Sequence, residues 1–205
     1  MATGKTQKQT SDRCDSWLEN RCCPITNSKA KYTLAELRAE FFGQIGCCQS
    51  DEIVAYQNKP LKTAIVMAAR ADRGDGELHS HQKWLRPETA KAAESILLKC
   101  IGQIAACKDF DALHELIKSK LNIHGAAEMY WYDTAFRIGI SLGIYPEKVY
   151  LHRGTKDGAE NLGIRNGKDV LEMSDLPKEL QKLEPYQVED FLCICKEELK
   201  RCRMP

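Results

Sequence analysis

The stretch LNIHGAAEMYWYDTAFRIGISLGI, Leu121 to Ile144, sets a glycine corner directly before a long and almost wholly apolar helical pattern. Laid on a helix, Met129, Tyr132, Phe136 and Ile140 form one apolar row, and Trp131, Ala135, Ile138 and Leu142 form a second beside it. What remains is a narrow polar strip of Tyr130, Asp133, Thr134, Arg137 and Ser141. The pattern therefore predicts a central helix whose one polar edge faces solvent or a pocket. Asp133 and Arg137 stand four residues apart, the spacing of an ion pair worth about 0.3–0.5 kcal/mol on an exposed helix face.

Outward from this helix, the remaining sequence also reads as helical. Thr33-Leu34-Ala35-Glu36 is a capping box, opening a helix expected to end near Gly43. Pro60 suits a first helical position ahead of LKTAIVMAARA. Pro87 opens a longer pattern in which Ala93, Ile96, Leu97, Cys100, Ile101 and Ile104 recur at three- and four-residue steps. Asp109 and Asp111 can cap the next helix, which buries Leu113, Leu116, Ile117 and Leu121 and runs into the glycine corner. Beyond Ile144 the pattern loosens around VYLH and a short helix from Thr155. Ser174 then caps DLPKELQKL, and Pro185 begins a last helix with Val188, Phe191, Leu192 and Cys195 spaced for burial. No alternating run of useful length occurs. The expected fold is all-α, a polar segment at residues 1–31 followed by one multi-helix domain over residues 32–205.

Composition narrows the function classes. Thirty Lys and Arg against 29 Asp and Glu give a net charge of +1, so no strong global field draws in anionic polymers or membranes, and any nucleic-acid contact must be local. No segment approaches the ~18 apolar residues that span a membrane. MATGKTQKQTSDR has no apolar secretory core, and the expectation is an intracellular protein, cytoplasmic or nuclear. The 10 cysteines include the pairs Cys22-Cys23 and Cys47-Cys48 but no C-x-x-C, which reads as reduced thiols rather than a zinc ribbon.

The corner and the helix after it resemble the helix-hairpin-helix element and, more loosely, the DNA glycosylases built around it. The resemblance covers Leu121 to Ile144. In that element two helices are joined by a hairpin whose N–H groups, with the second helix's N-terminus, bind a DNA phosphate. It implies that Gly125, Ala126 and Ala127 contact nucleic-acid backbone. Tyr132-Asp133-Thr134-Ala135-Phe136-Arg137, leading to Ser141-Leu142-Gly143-Ile144, is similar to the glycosylase segment carrying an essential carboxylate. By that likeness Asp133 is the candidate catalytic group, with Tyr130 and Arg137 on the same strip. Ala127 stands where the second hairpin glycine is expected, and Met129 near the lyase lysine, so no Schiff-base chemistry is implied.

Two further constellations carry chemistry. LHRGTKDGAENLGIRNGK places Arg153, Lys156, Arg165 and Lys168 among glycines, a composition suited to phosphate, though without the Gly-Lys-Ser/Thr of a P-loop. His79 and His81, beside Asp72, Asp75 and Glu77, have the residue types to ligate a divalent metal, which would make a metal-dependent hydrolase. No other cofactor is implied. The leading expectation is a nucleic-acid-binding protein using the hairpin and the basic segment. The alternative from another class is a non-enzymatic helical module that binds a protein partner.

Overall fold

The computed structural model describes residues 32–79 and 82–202. It is mostly helical, with one two-stranded sheet among the described residues. The segment 1–31 set apart in the sequence lies outside the described residues. Backbone contacts divide the chain into two units, one of Met1–Ser50 with Lys148–Pro205 and the other of Asp51–Glu147, where one domain was expected from residue 32 onward. No helix among the described residues is long and apolar enough to cross a membrane.

The capping box is present: the Thr33 N–H donates to Glu36 Oε2 at 2.8 Å and the Glu36 N–H to Thr33 Oγ1 at 3.3 Å. The helix it opens, α1 (Leu34–Tyr56), passes through Gly43 rather than ending there. One interior glycine costs a helix about 1 kcal/mol and does not stop it unless the backbone turns left-handed. In the first unit Leu34, Leu37 and Phe41 of α1 join a core with Val149, Leu151, Leu162, Leu171, Val188, Phe191, Leu192 and Cys195. The VYLH stretch supplies β1 (Val149–Tyr150), antiparallel to β2 (Val170–Leu171). Helix α7 (Arg153–Asn161) packs on α8 (Pro185–Ile194), which is followed by the single turn α9 (Lys196–Leu199). The DLPKELQKL segment forms turns after a short 3-10 helix, Met173–Asp175, in place of the expected helix.

The second unit contains α2 (Leu61–Ala69), α3 (Pro87–Lys99), α4 (Ile101–Ala106), α5 (Phe110–Lys120) and α6 (Glu128–Leu142). The long pattern after Pro87 breaks at Cys100, where φ −99° and ψ 7° leave the helical region and separate α3 from α4. Asp109 caps α5 by accepting the Ala112 N–H at 2.8 Å. Helix α6 packs on α2 and α5, burying Tyr132, Ala135, Phe136, Ile138 and Ile140 as its apolar rows require. The polar strip does not face solvent along its length: Tyr130, Thr134 and Arg137 are buried as well. A helix buried on that edge must find partners for its polar atoms inside the protein.

Candidate functional site

The glycine corner is built by three contacts. Its turn closes through the Ala126 N–H to the Ile123 carbonyl at 3.1 Å. Gly125 takes φ +84°, and a Cβ there would lie 2.7 Å from Thr89 Oγ1, so glycine is required by conformation and by space. That same Thr89 hydroxyl, from the first turn of α3, donates to the His124 carbonyl at 3.2 Å. Trp131 then donates its indole N–H to the Leu121 carbonyl at 2.8 Å, tying the start of α6 to the end of α5.

Ala127 is extended, at φ −139° and ψ 177°, and is the N-cap of α6 without a side-chain hydrogen bond. Residue 127 thus lacks the positive φ that would call for glycine. The Ala127 carbonyl accepts from the Trp131 N–H at 3.0 Å, so the N–H groups of Glu128, Met129 and Tyr130 precede the first intrahelical bond. His124, Gly125 and Ala127 are exposed, and Lys120 lies in the last turn of α5 just before the corner. Glu128, also exposed in the first turn, opposes an anion there.

One turn further along α6, the acid and the base engage partners well outside their own helix. The Arg137 side chain is 1% exposed; its Nε donates to Glu52 Oε1 at 2.7 Å and its Nη1 to Gln82 Oε1 at 2.8 Å. Gln82 Nε2 in turn donates to Asp133 Oδ2 at 2.5 Å, while Arg137 Nη2 lies 3.9 Å from that oxygen. The (i, i+4) pair is thus bridged through an amide, with Glu52 as the closer counterion. Burial pushes the Glu52 carboxyl up, but the guanidinium, then His79, pull it further down, and the net is below the usual carboxylate range. Burial disfavours the Arg137 cation, yet Glu52 and Asp133 together hold it more firmly charged than a free arginine. Tyr130 donates to the Ala69 carbonyl and Tyr56 to the Asp72 carbonyl, each at 2.6 Å, and burial raises both hydroxyls. As placed, Asp133 accepts inside a network that holds a buried cation, the geometry of a structural carboxylate.

The proposed metal ligands are not brought together among the described residues. His79 is buried with Nε2 3.3 Å from Glu52 Oε1, and His81 lies outside the described residues. Asp72 Oδ1 accepts the N–H groups of Gly74 and Gly76 at 2.7 and 3.0 Å, and Asp75 pairs with Arg73, whose hydrogen bond holds its carboxyl below the usual range. These carboxylates close their own turn. Among the described residues, no group of three His, Cys, Asp or Glu is placed to hold a metal ion.

The basic segment contains the helix expected from Thr155, begun two residues earlier at Arg153. Its first half is α7, with Arg153 exposed at the first position. A Cβ on Gly158 would sit 2.0 Å from the Leu192 carbonyl oxygen, and one on Gly154 would sit 2.7 Å from Cys193 Sγ. These glycines let α7 approach α8 and do not cradle an anion. Lys156 pairs with Asp169 at 3.1 Å, Lys168 with Asp175 at 2.7 Å, and Arg165 with Glu160. Three of the four expected phosphate contacts thus have carboxylate partners. The same interface buries a cluster that sequence reading missed: Thr155 Oγ1 donates to Glu189 Oε1 at 2.8 Å, and His152 Nε2 meets that same oxygen. Glu52, Gln82 and Glu189 carry no local signal, because each acquires its role from a residue at least 34 positions away.

Comparison with protein-family models, with curated proteins and with solved structures gave no match. The functional reading therefore rests on the geometry alone.

Proposed function

We propose that this chain binds nucleic-acid backbone at the corner Gly125-Ala126-Ala127, in the manner of the helix-hairpin-helix element, with a phosphate seated at the N-terminus of α6. The observation that supports this reading is the uncapped start of a 15-residue helix at an exposed glycine turn. Backbone N–H groups and the positive end of the helix dipole both favour an anion there. Thr89 and Trp131 hold the corner from either side, so little ordering is needed on binding. Lys120 adds charge close to it. Lys156, Arg165 and Lys168, in the other unit, are already paired with carboxylates. Asp133 is assigned no base-release step, because its carboxylate is engaged with Gln82.

The decisive variant is Ala127→Asp. Its carboxylate would take up the first-turn N–H groups and put negative charge where the phosphate sits. A side-chain cap in place of alanine stabilises a helix by about 1 kcal/mol. The expected outcome is a chain that is more stable yet binds a labelled oligonucleotide duplex at least about tenfold more weakly in fluorescence anisotropy. Wild-type affinity should fall steeply with added salt as counterions are released. Unchanged affinity in Ala127→Asp would exclude the corner as the contact.

A further inference from the structure

The turn that leads into α3 exposes Lys83, Trp84 and Arg86 while burying the residues between and before them. Gln82 is fully buried and hydrogen-bonded to Arg137 and Asp133, and Leu85 is 5% exposed. The Gln82 N–H donates to the His79 carbonyl at 2.9 Å and the Leu85 N–H to the Gln82 carbonyl at 2.8 Å, closing the turn. Trp84 is 48% exposed, one of the large apolar side chains exposed among the described residues, and cations stand on either side of it in sequence. One exposed tryptophan is ordinary by itself. Its position is what singles it out.

Arg86 is the N-cap of α3, and Thr89, three residues on, is the side chain that touches the glycine corner. Three residues of helix rise only about 4.5 Å. The Lys83-Trp84-Leu85-Arg86 turn is therefore connected by most of one turn of helix to the residue that touches the proposed phosphate contact, within the same compact unit. An aromatic face between two cations, next to an anion-binding backbone corner, matches one kind of ligand: a polyanion that also carries planar rings.

Resting on the reading of the corner as a phosphate site, we infer that Trp84 is a stacking platform for an unpaired base, and that the partner is single-stranded nucleic acid. Lys83 and Arg86 contact the flanking phosphates, and the corner at Gly125 holds a neighbouring one. Glu88 and Glu128 are the carboxylates in the first turns of α3 and α6, and they limit how far the strand extends along either helix. A duplex keeps its bases stacked on one another, so it can use the cations and the corner but not the indole.

The test uses the full chain and three labelled probes: an oligothymidylate of about twelve nucleotides, an abasic strand of the same length, and an acidic polypeptide. Oligothymidylate should bind about tenfold or more tightly over the abasic strand, and Trp84→Ala should erase that difference while Trp84→Phe keeps most of it. Lys83→Ala with Arg86→Ala should weaken both strands alike and reduce the salt slope by about two phosphates' worth. A difference between the strands that survives Trp84→Ala, or the acidic polypeptide bound as well as oligothymidylate, would overturn the inference. If both strands bind equally and Ala127→Asp abolishes both, the corner stands and the stacking platform falls. If neither strand binds, both fall.

Discussion

Glycine is required for different reasons at the corner and on α7. At the corner, Gly125 is exposed and left-handed, and the place of its missing side chain is taken by the Thr89 hydroxyl beside a helix start. On α7, Gly154 and Gly158 are helical, and their missing side chains are filled by α8. The polar groups differ in parallel. Beside the corner, Asp133 joins a network around a buried guanidinium. Beside Gly154, the carboxylate of Glu189 is met by a threonine and a histidine. Glycine near positive charge is thus no evidence of a phosphate site until its φ and its neighbours are known.

The sharpest way to break the contrast is at the buried polar groups. Arg137→Met should cost the second unit about 3–5 kcal/mol, since Glu52 and Gln82 lose their donor and Asp133 loses the cation beside it. Trp84 and Trp131 lie in that unit, and tryptophan fluorescence in a urea titration will read the loss. The matched change in the first unit, Glu189→Gln, keeps an acceptor for Thr155 and should cost only about 1 kcal/mol, measured by hydrogen exchange of the α7 and α8 amides. Equal losses would mean that the two clusters are energetically alike.

The glycines come next. Gly158→Ala should cost about 3 kcal/mol, because the backbone oxygen of Leu192 cannot move without shifting α8. Gly154→Ala meets only the sulfur of Cys193, a side chain that can rotate, and should cost less. Gly125→Ala should fall near 1–2 kcal/mol, combining a left-handed alanine with a crowded but movable Thr89 hydroxyl. Hydrogen exchange that ranks Gly125→Ala above Gly158→Ala would mean that the left-handed backbone, and not the approach of α8, sets the larger cost.

The smallest expected effect is one of pH. The folded-state pKa of Glu52 is depressed, so its contribution is fully present above its ordinary value of 4.5 and is lost as pH falls through the lower folded value. Comparing urea midpoints by tryptophan fluorescence at about pH 6 and about pH 3 should show a loss that is smaller in Glu52→Gln. An identical acid response in wild type and variant would remove Glu52 as the counterion that matters.

Much of the local structure was legible because it is decided within a few residues. The Thr33 capping box, the Asp109 cap, the helix after Pro185 and the apolar rows of α6 depend on spacing at three and four, and each is present. The errors came where two local rules compete. Gly43 permits a helix to end but does not compel it, and the break at Cys100 interrupts a stripe that remains periodic across it. The helix expected from Thr155 starts two residues earlier, at Arg153, and its glycines are tolerated because α8 packs where their side chains would stand.

By itself the sequence determined a helical chain, the helix after the glycine corner, and the presence of an acid and a base four residues apart on it. Only tertiary structure decided what that pair does, since Glu52 is 85 residues from Arg137 and Gln82 is 51 from Asp133. Helical periodicity reports which side of one element is apolar. It carries no information on which distant carboxylate or amide will meet the polar side, because that partner is selected by how the elements pack and by the cost of leaving a buried cation without one.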